Sequence, residues 1–272
     1  MSLVSTNWLL KNLNNVKIIE CSWHMPNANR DSYKEYLKEH IENAIFFDLD
    51  KNSEQNSDLP HMLPDKKTWQ KIVTSMGISN DDRIVIYDNS DVISSCRCWY
   101  SFIYFGHSPN LVHVLDGGMK KWKLENKPLT SIFSKNKISK YVVEEKKELV
   151  KNKFQIDQNI LDKKFKVVDA RSVERFNGNE PEPRKGLKSG SIPNSFCLPF
   201  KLLINKDNTF KNSEEITNKF NNVLKDNKSS DVVFSCGSGV TAAVLALAYS
   251  LINNKYYPKI YDGSWAEYGK IK

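Results

Sequence analysis

The sequence predicts an α/β protein of two tandem domains, each a mostly parallel sheet flanked by helices. Two observations carry that reading. Short runs rich in Val and Ile alternate with helical stretches, and the runs lack strict in–out alternation, as strands covered on both faces do. Strand–helix alternation of this kind builds parallel sheets. The chain also repeats itself. Lys17–Trp23 (KIIECSW) resembles Lys166–Ser172 (KVVDARS), and His40–Phe47 (HIENAIFF) resembles Ser191–Leu198 (SIPNSFCL). Asp82–Asp88 (DRIVIYD) resembles Ser230–Cys236 (SDVVFSC), and Val114–Trp122 (VLDGGMKKW) resembles Ile260–Tyr268 (IYDGSWAEY). Four matches in the same order at nearly constant separation make the chain two copies of one unit of ordinary domain size.

The first copy is expected over residues 1–128 and the second over 151–272. Between them, residues 129–150 fall in a polar, charged stretch (KPLTSIFSKNKISKYVVEEKKELVKNK) that reads as a linker. The 272 residues, 40% hydrophobic and 26% charged, have the composition of a globular protein. No apolar run approaches the roughly 20 residues of a membrane span. The start, MSLVSTNWLLKNLNN, lacks the basic opening and small-residue cleavage site of a signal peptide, so a cytoplasmic protein is expected. The net charge of +8 comes from lysines scattered among Glu, Asp and Asn, a solvated surface rather than a nucleic-acid stripe. The five cysteines are an odd count, which fits free thiols in a reducing compartment. Cys96-Arg97-Cys98 is the one close pair; no second pair completes a zinc site, so no metal is expected and the two read as buried helix residues.

The fifth cysteine is placed differently. In VVFSCGSGVTAAVLALAYSL, Val232–Leu251, an apolar strand ends on Cys236, two glycines follow, and an Ala-rich helix begins with Val240, Val244, Leu247 and Leu251 on one face. Such a loop lies at the carboxyl end of the sheet, where α/β proteins bind ligands. Gly237 and Gly239 free the backbone so that successive amides can converge. That nest, at a helix N-terminus, favours negative charge and suits a sulfur nucleophile. In the first copy the aligned residue is Asp88, followed by no glycine loop, so only the second copy can hold a thiol site. A cysteine phosphatase would need C-x5-R; the arginine's position is Ala242, and a phosphoryl dianion would lack its main partner.

With these residues in view, the chain resembles the rhodanese-like sulfurtransferases, tandem-domain enzymes with the active cysteine in the second copy. CGSGVTA resembles the active loop of the 3-mercaptopyruvate branch; thiosulfate sulfurtransferases carry a basic pair where this chain has Gly237-Ser238. Glu174–Gly186 (ERFNGNEPEPRKG), Phe46–Pro64 (FFDLDKNSEQNSDLPHMLP) and YDGSWAEY near the end resemble the same branch. The resemblance implies Cys236 as nucleophile and Arg175 and Arg184 as substrate-binding cations. It implies a loop of Gly237, Gly239, Val240 and Thr241 around the sulfur, and a relay of Asp50, His61 and Ser238. Cations set apart from the thiol suit an α-keto acid whose carboxylate is several ångströms from its reacting sulfur; the competing reading of both arginines is a surface ion pair with Glu180 or Glu182. The reaction implied passes the sulfur of 3-mercaptopyruvate through a Cys236 persulfide to a thiol, cyanide or thioredoxin. No cofactor, nucleic acid or membrane is involved. The alternatives are a thiosulfate:cyanide sulfurtransferase and a non-catalytic rhodanese-like binding module.

Overall fold

The computed structural model describes residues 2–134, 137–225 and 231–271. Ser230, at the head of the second copy's strand segment, and part of the expected 129–150 linker lie outside the described residues. Two compact units emerge, and neither is an unbroken stretch of chain.

The first unit runs β1 (Leu3–Val4), α1 (Thr6–Asn12), β2 (Lys17–Glu20), α2 (Ser32–Lys38), β3 (Ala44–Phe46), α3 (Lys66–Ser75), β4 (Ile84–Tyr87), α4 (Ser95–Tyr104), β5 (Val112–Leu115) and α5 (Gly118–Leu124). The second repeats the pattern with β6 (Val150–Lys151), α6 (Lys153–Asp162), β7 (Phe165–Asp169), α7 (Val173–Asn177), β8 (Phe196–Cys197), α8 (Ser213–Leu224), β9 (Asp231–Ser235), α9 (Val240–Ile252), β10 (Ile260–Tyr261) and α10 (Ser264–Tyr268). Each sheet has five strands, ordered β1-β5-β4-β2-β3 and β6-β10-β9-β7-β8, and every pairing is parallel. The repeated order is the architecture the four sequence matches imply.

Local chemistry starts the helices where the sequence changes period. Asp31, Asp65, Asn152, Ser172 and Asn212 each accept a first-turn amide with a side-chain oxygen, and Asn152 closes a capping box with Gln155. The middle strands are apolar throughout because both faces are covered: Ile84–Tyr87 and Val232–Ser235 are wholly buried. Trp122 anchors the first core with Leu9, Ile18 and Val85; Trp265 anchors a matching cluster in the second with Ile156, Val233 and Tyr261.

Three expectations need correction. Helix α9 is not one-faced: Ala242 to Tyr249 are all buried, whereas Leu251 is half-exposed. Its alanines let neighbours approach on every side, so the helix runs through the unit's interior instead of lying on it. The stretch to residue 146 is not a free linker, since Tyr141 and Val143 are buried and Glu144 and Lys146 donate backbone bonds to Phe105 and Tyr104. Finally, the units exchange short segments. Residues 206–210 pack in the first unit, where Phe210 donates its amide to Asp116 at 2.8 Å and Lys121 pairs with Asp207 at 2.8 Å. Residues 56–62 pack in the second.

Candidate active site

Cys236 is the first residue beyond β9, the middle strand of its sheet, and is 1% exposed. The next residues turn into α9, whose first amides have no acceptor of their own in the helix. Gly239 is the residue that permits the turn. It caps α9 at φ 78°, in the left-handed region that favours glycine. Gly237 is not among the glycines at positive φ; its lack of a side chain serves a different purpose. A Cβ there would lie 3.3 Å from Arg175 Nη2 and 3.8 Å from Arg184 Nη1. Both expected substrate cations therefore stand against the residue that follows the cysteine.

Arg175 comes from α7 and is held by Glu182, with Nη2 to Oε2 at 2.6 Å and Nε to Oε1 at 3.2 Å. The ion pair weighed as the bland alternative is thus real for Arg175, and it aims the guanidinium at the loop rather than away from it. Glu182 is in turn fixed by Arg171, whose Nη1 donates to Oε1 at 2.7 Å. Arg171 is almost fully buried, bonds both oxygens of Asp169 at 2.7–3.1 Å and stacks 4.5 Å above Trp265. Buried charges persist only when paired and hydrogen-bonded, which the Asp169–Arg171–Glu182–Arg175 chain achieves with formal charges that cancel. Asp169, Arg171 and Glu182 were not foreseen as site residues. The available signal was an acid–x–arginine pair at the carboxyl end of β7, where side chains meet the site.

The 56–62 segment brings His61 to Ser238. Nδ1 and Oγ are 3.0 Å apart and both side chains are buried. With the imidazole proton on Nε2, Ser238 donates to Nδ1; with the other tautomer the direction reverses. His61 itself sits at φ 60°, unusual for a residue with a side chain and consistent with a position held for use. Asp50 belongs to the first unit, where both its oxygens accept from Trp23 Nε1 at 3.0 and 3.1 Å. Val240 is buried and Thr241 partly exposed in the first turn of α9.

The other cysteines lack this setting. Cys96 and Cys98 lie wholly buried in α4, Cys21 follows β2, and Cys197 ends β8. Burial pushes the Cys197 thiol up to about 12 and holds Cys96 and Cys21 well above the ordinary thiol range. In the first unit the position matching Cys236 is Asp88, whose carboxylate accepts from Ser95 N at 2.7 Å and is pushed up to about 6 by burial. An anion is held there by amides, but no thiol is present.

A family model described as the rhodanese-like domain matches residues 5–125 and again 154–270. The chain is 36% identical over 291 residues to a protein named thiosulfate/3-mercaptopyruvate sulfurtransferase 1, mitochondrial, of Arabidopsis thaliana, covering 98% of this chain and 75% of that protein. It is 36% identical over 275 residues to 3-mercaptopyruvate sulfurtransferase of Rattus norvegicus, covering 98% and 91%. The crystal structure of SseA from Escherichia coli, described with the rhodanese fold of 3-mercaptopyruvate sulfotransferases, superposes with a TM-score of 0.85 at 28% identity, covering 97% of this chain and 99% of that one. The duplicated sheet order, the two matched segments and the near-complete coverage lead to one conclusion: this chain belongs to the rhodanese-like family, with two copies of the domain.

Proposed function

We propose that this protein is a sulfurtransferase in which Cys236 takes the sulfur of 3-mercaptopyruvate as a persulfide and passes it to an acceptor. The observation that carries the reading is the pair of guanidiniums, Arg175 and Arg184, set against Gly237 beside the thiol. A carboxylate and an adjacent carbonyl match two planar cations. The sulfurtransferase names of the relatives support sulfur transfer, with 3-mercaptopyruvate in both names and thiosulfate beside it in the Arabidopsis thaliana one.

The Cys236 thiolate attacks the substrate sulfur. The substrate C–S bond breaks, its electron pair moves onto the departing carbon, and pyruvate leaves as the enolate, which takes up a proton. Arg175 and Arg184 stabilise the charge that develops on the enolate oxygen. Ser238, bonded to His61, polarises the carbonyl or passes the proton; Asp50 is assigned to this relay on the resemblance alone. Gly237, Gly239, Val240 and Thr241 supply backbone amides around the persulfide. A small thiol, cyanide or reduced thioredoxin then attacks the outer sulfur, and the Cys236 thiolate leaves. The five free thiols support a reducing compartment, and the cytoplasm is our reading of it.

Steady-state kinetics with both donors tests this assignment. We expect kcat/KM for 3-mercaptopyruvate to exceed that for thiosulfate. Arg184→Ala should lower the ratio by on the order of 30-fold, the loss of a charge-assisted contact worth about 2 kcal/mol. A wild-type preference for thiosulfate, or an equal loss on both donors, contradicts the reading.

A further inference from the structure

The turn that follows β10 grips the cysteine, and comparing the two units isolates the residue responsible. After the last strand of each sheet comes Asp-Gly and a short helix: Asp116-Gly117-Gly118-Met119 and Asp262-Gly263-Ser264-Trp265. The turns differ at the second residue, left-handed at φ 86° for Gly117 and right-handed at φ −63° for Gly263, but share one bond and the geometry of the third residue. Met119 N–H donates to the Asp88 carbonyl at 2.9 Å, and Trp265 N–H donates to the Cys236 carbonyl at 2.9 Å. The third residue is left-handed in both, at φ 51° for Gly118 and 48° for Ser264. Glycine accepts that conformation readily, whereas a residue with a Cβ is strained there. The first unit uses the unstrained residue, and a Cβ on Gly118 would fall 2.6 Å from the Asp88 carbonyl oxygen. The second unit, which carries the thiol, instead holds a fully buried serine in the strained geometry. Strain kept at one copy of a repeat and absent from the other points to use.

The hydroxyl has a definite task. Ser264 Oγ accepts the Cys236 N–H at 3.1 Å and donates to the Tyr261 carbonyl at 2.9 Å. Trp265 N–H holds the Cys236 carbonyl, and Ala266 N–H holds that of Gly237 at 2.9 Å. Both backbone polar groups of Cys236 are therefore bonded to this turn, which fixes its φ and ψ and hence the direction of its Cα–Cβ bond. The two carbonyls are also committed to the start of α10.

We propose that Ser264 is a positioning residue that aims the Cys236 sulfur at the donor. The proposal rests on the sulfurtransferase reading and adds to it a residue that touches no substrate. Ser264→Gly removes the hydroxyl and also the strain, so folding should be little affected. Ser264→Ala removes the hydroxyl and keeps the strain. Both variants and the wild type are assayed with the donor the wild type turns over, and their melting temperatures are measured. We expect kcat to fall by about tenfold in both variants with KM within about twofold, because aim rather than binding is lost. The Tm of S264G should stay near wild type and that of S264A should fall below it. A wild-type kcat in S264G overturns the inference whatever S264A shows, because the hydroxyl is then dispensable. Absence of turnover by the wild type with either donor overturns the sulfurtransferase reading first, and this proposal with it.

Discussion

Residue identities decide the chemistry here, and the deepest buried ones decide it least visibly. Cys236 was legible as a candidate in the sequence because an apolar strand ends on it and a glycine loop follows. Glu182 was legible only as a possible competitor for the arginines. In the structure it binds Arg171 and Arg175 together, so under the proposed function it anchors the substrate cation rather than quenching it. Sequence could not show this, because the pairing depends on a fold that brings Asp169, at the end of β7, against the 171–182 stretch. Glu20 is a second hidden case. Its carboxylate accepts from Tyr87 at 2.8 Å and Ser22 at 2.9 Å, yet burial pushes it up to about 7 from an ordinary value of 4.5. Its folded form therefore holds a proton more tightly than its unfolded form. Stability from this group is fully present below about 4.5 and is lost as the pH rises through about 7. Glu20→Gln, which cannot ionise, should raise Tm relative to wild type at pH 8 more than at pH 5. The difference should be on the order of 3 kcal/mol at most. An equal effect at the two pH values would show that the carboxyl keeps an ordinary titration.

At the scale of the element, strand, loop and helix were legible as a unit. β9, the turn at 237–239 and α9 fall where the apolar run, the glycines and the alanines place them. The burial of α9 on all sides was not, because an Ala-rich helix has little amphipathic contrast to read. The two glycines of the loop also divide their work in a way sequence leaves open. Gly239 is needed for its φ, and Gly237 for the room it leaves to Arg175 and Arg184. This sharpens an experiment on donor choice. Replacing Gly237-Ser238 by Arg-Lys would set a new side chain 3.3 Å from a guanidinium tied to Glu182 and would remove the His61 partner. The keto-acid contacts should suffer while a compact dianion gains counter-charge beside the sulfur. The ratio of kcat/KM values should move at least ~10-fold toward thiosulfate, about 1.4 kcal/mol of differential transition-state binding. An unchanged ratio in a folded double variant would place donor choice outside the loop.

At the scale of the molecule, duplication was the strongest signal in the chain, because strands buried on both faces leave the same apolar runs in each copy. The identical strand orders follow from it. The exchanged segments, 56–62 and 206–210, are short and without period, so the residues alone do not assign them; only the family resemblance tied His61 to Ser238. One of them brings His61 to Ser238, far from it in sequence. Duplication also supplied an internal control. Asp88 and Cys236 occupy matching positions, as do Gly118 and Ser264, and in each pair the second unit carries the residue with chemistry to offer. Under the proposed reaction Cys236 alone carries the transferred sulfur. Incubating the protein with 3-mercaptopyruvate without an acceptor and mapping its peptides by mass spectrometry tests that claim most directly. The Cys236 peptide should gain one sulfur atom, removed again by cyanide and absent in Cys236→Ser. Sulfur on Cys21, Cys96, Cys98 or Cys197 instead, or turnover by a folded Cys236→Ser variant, would contradict it.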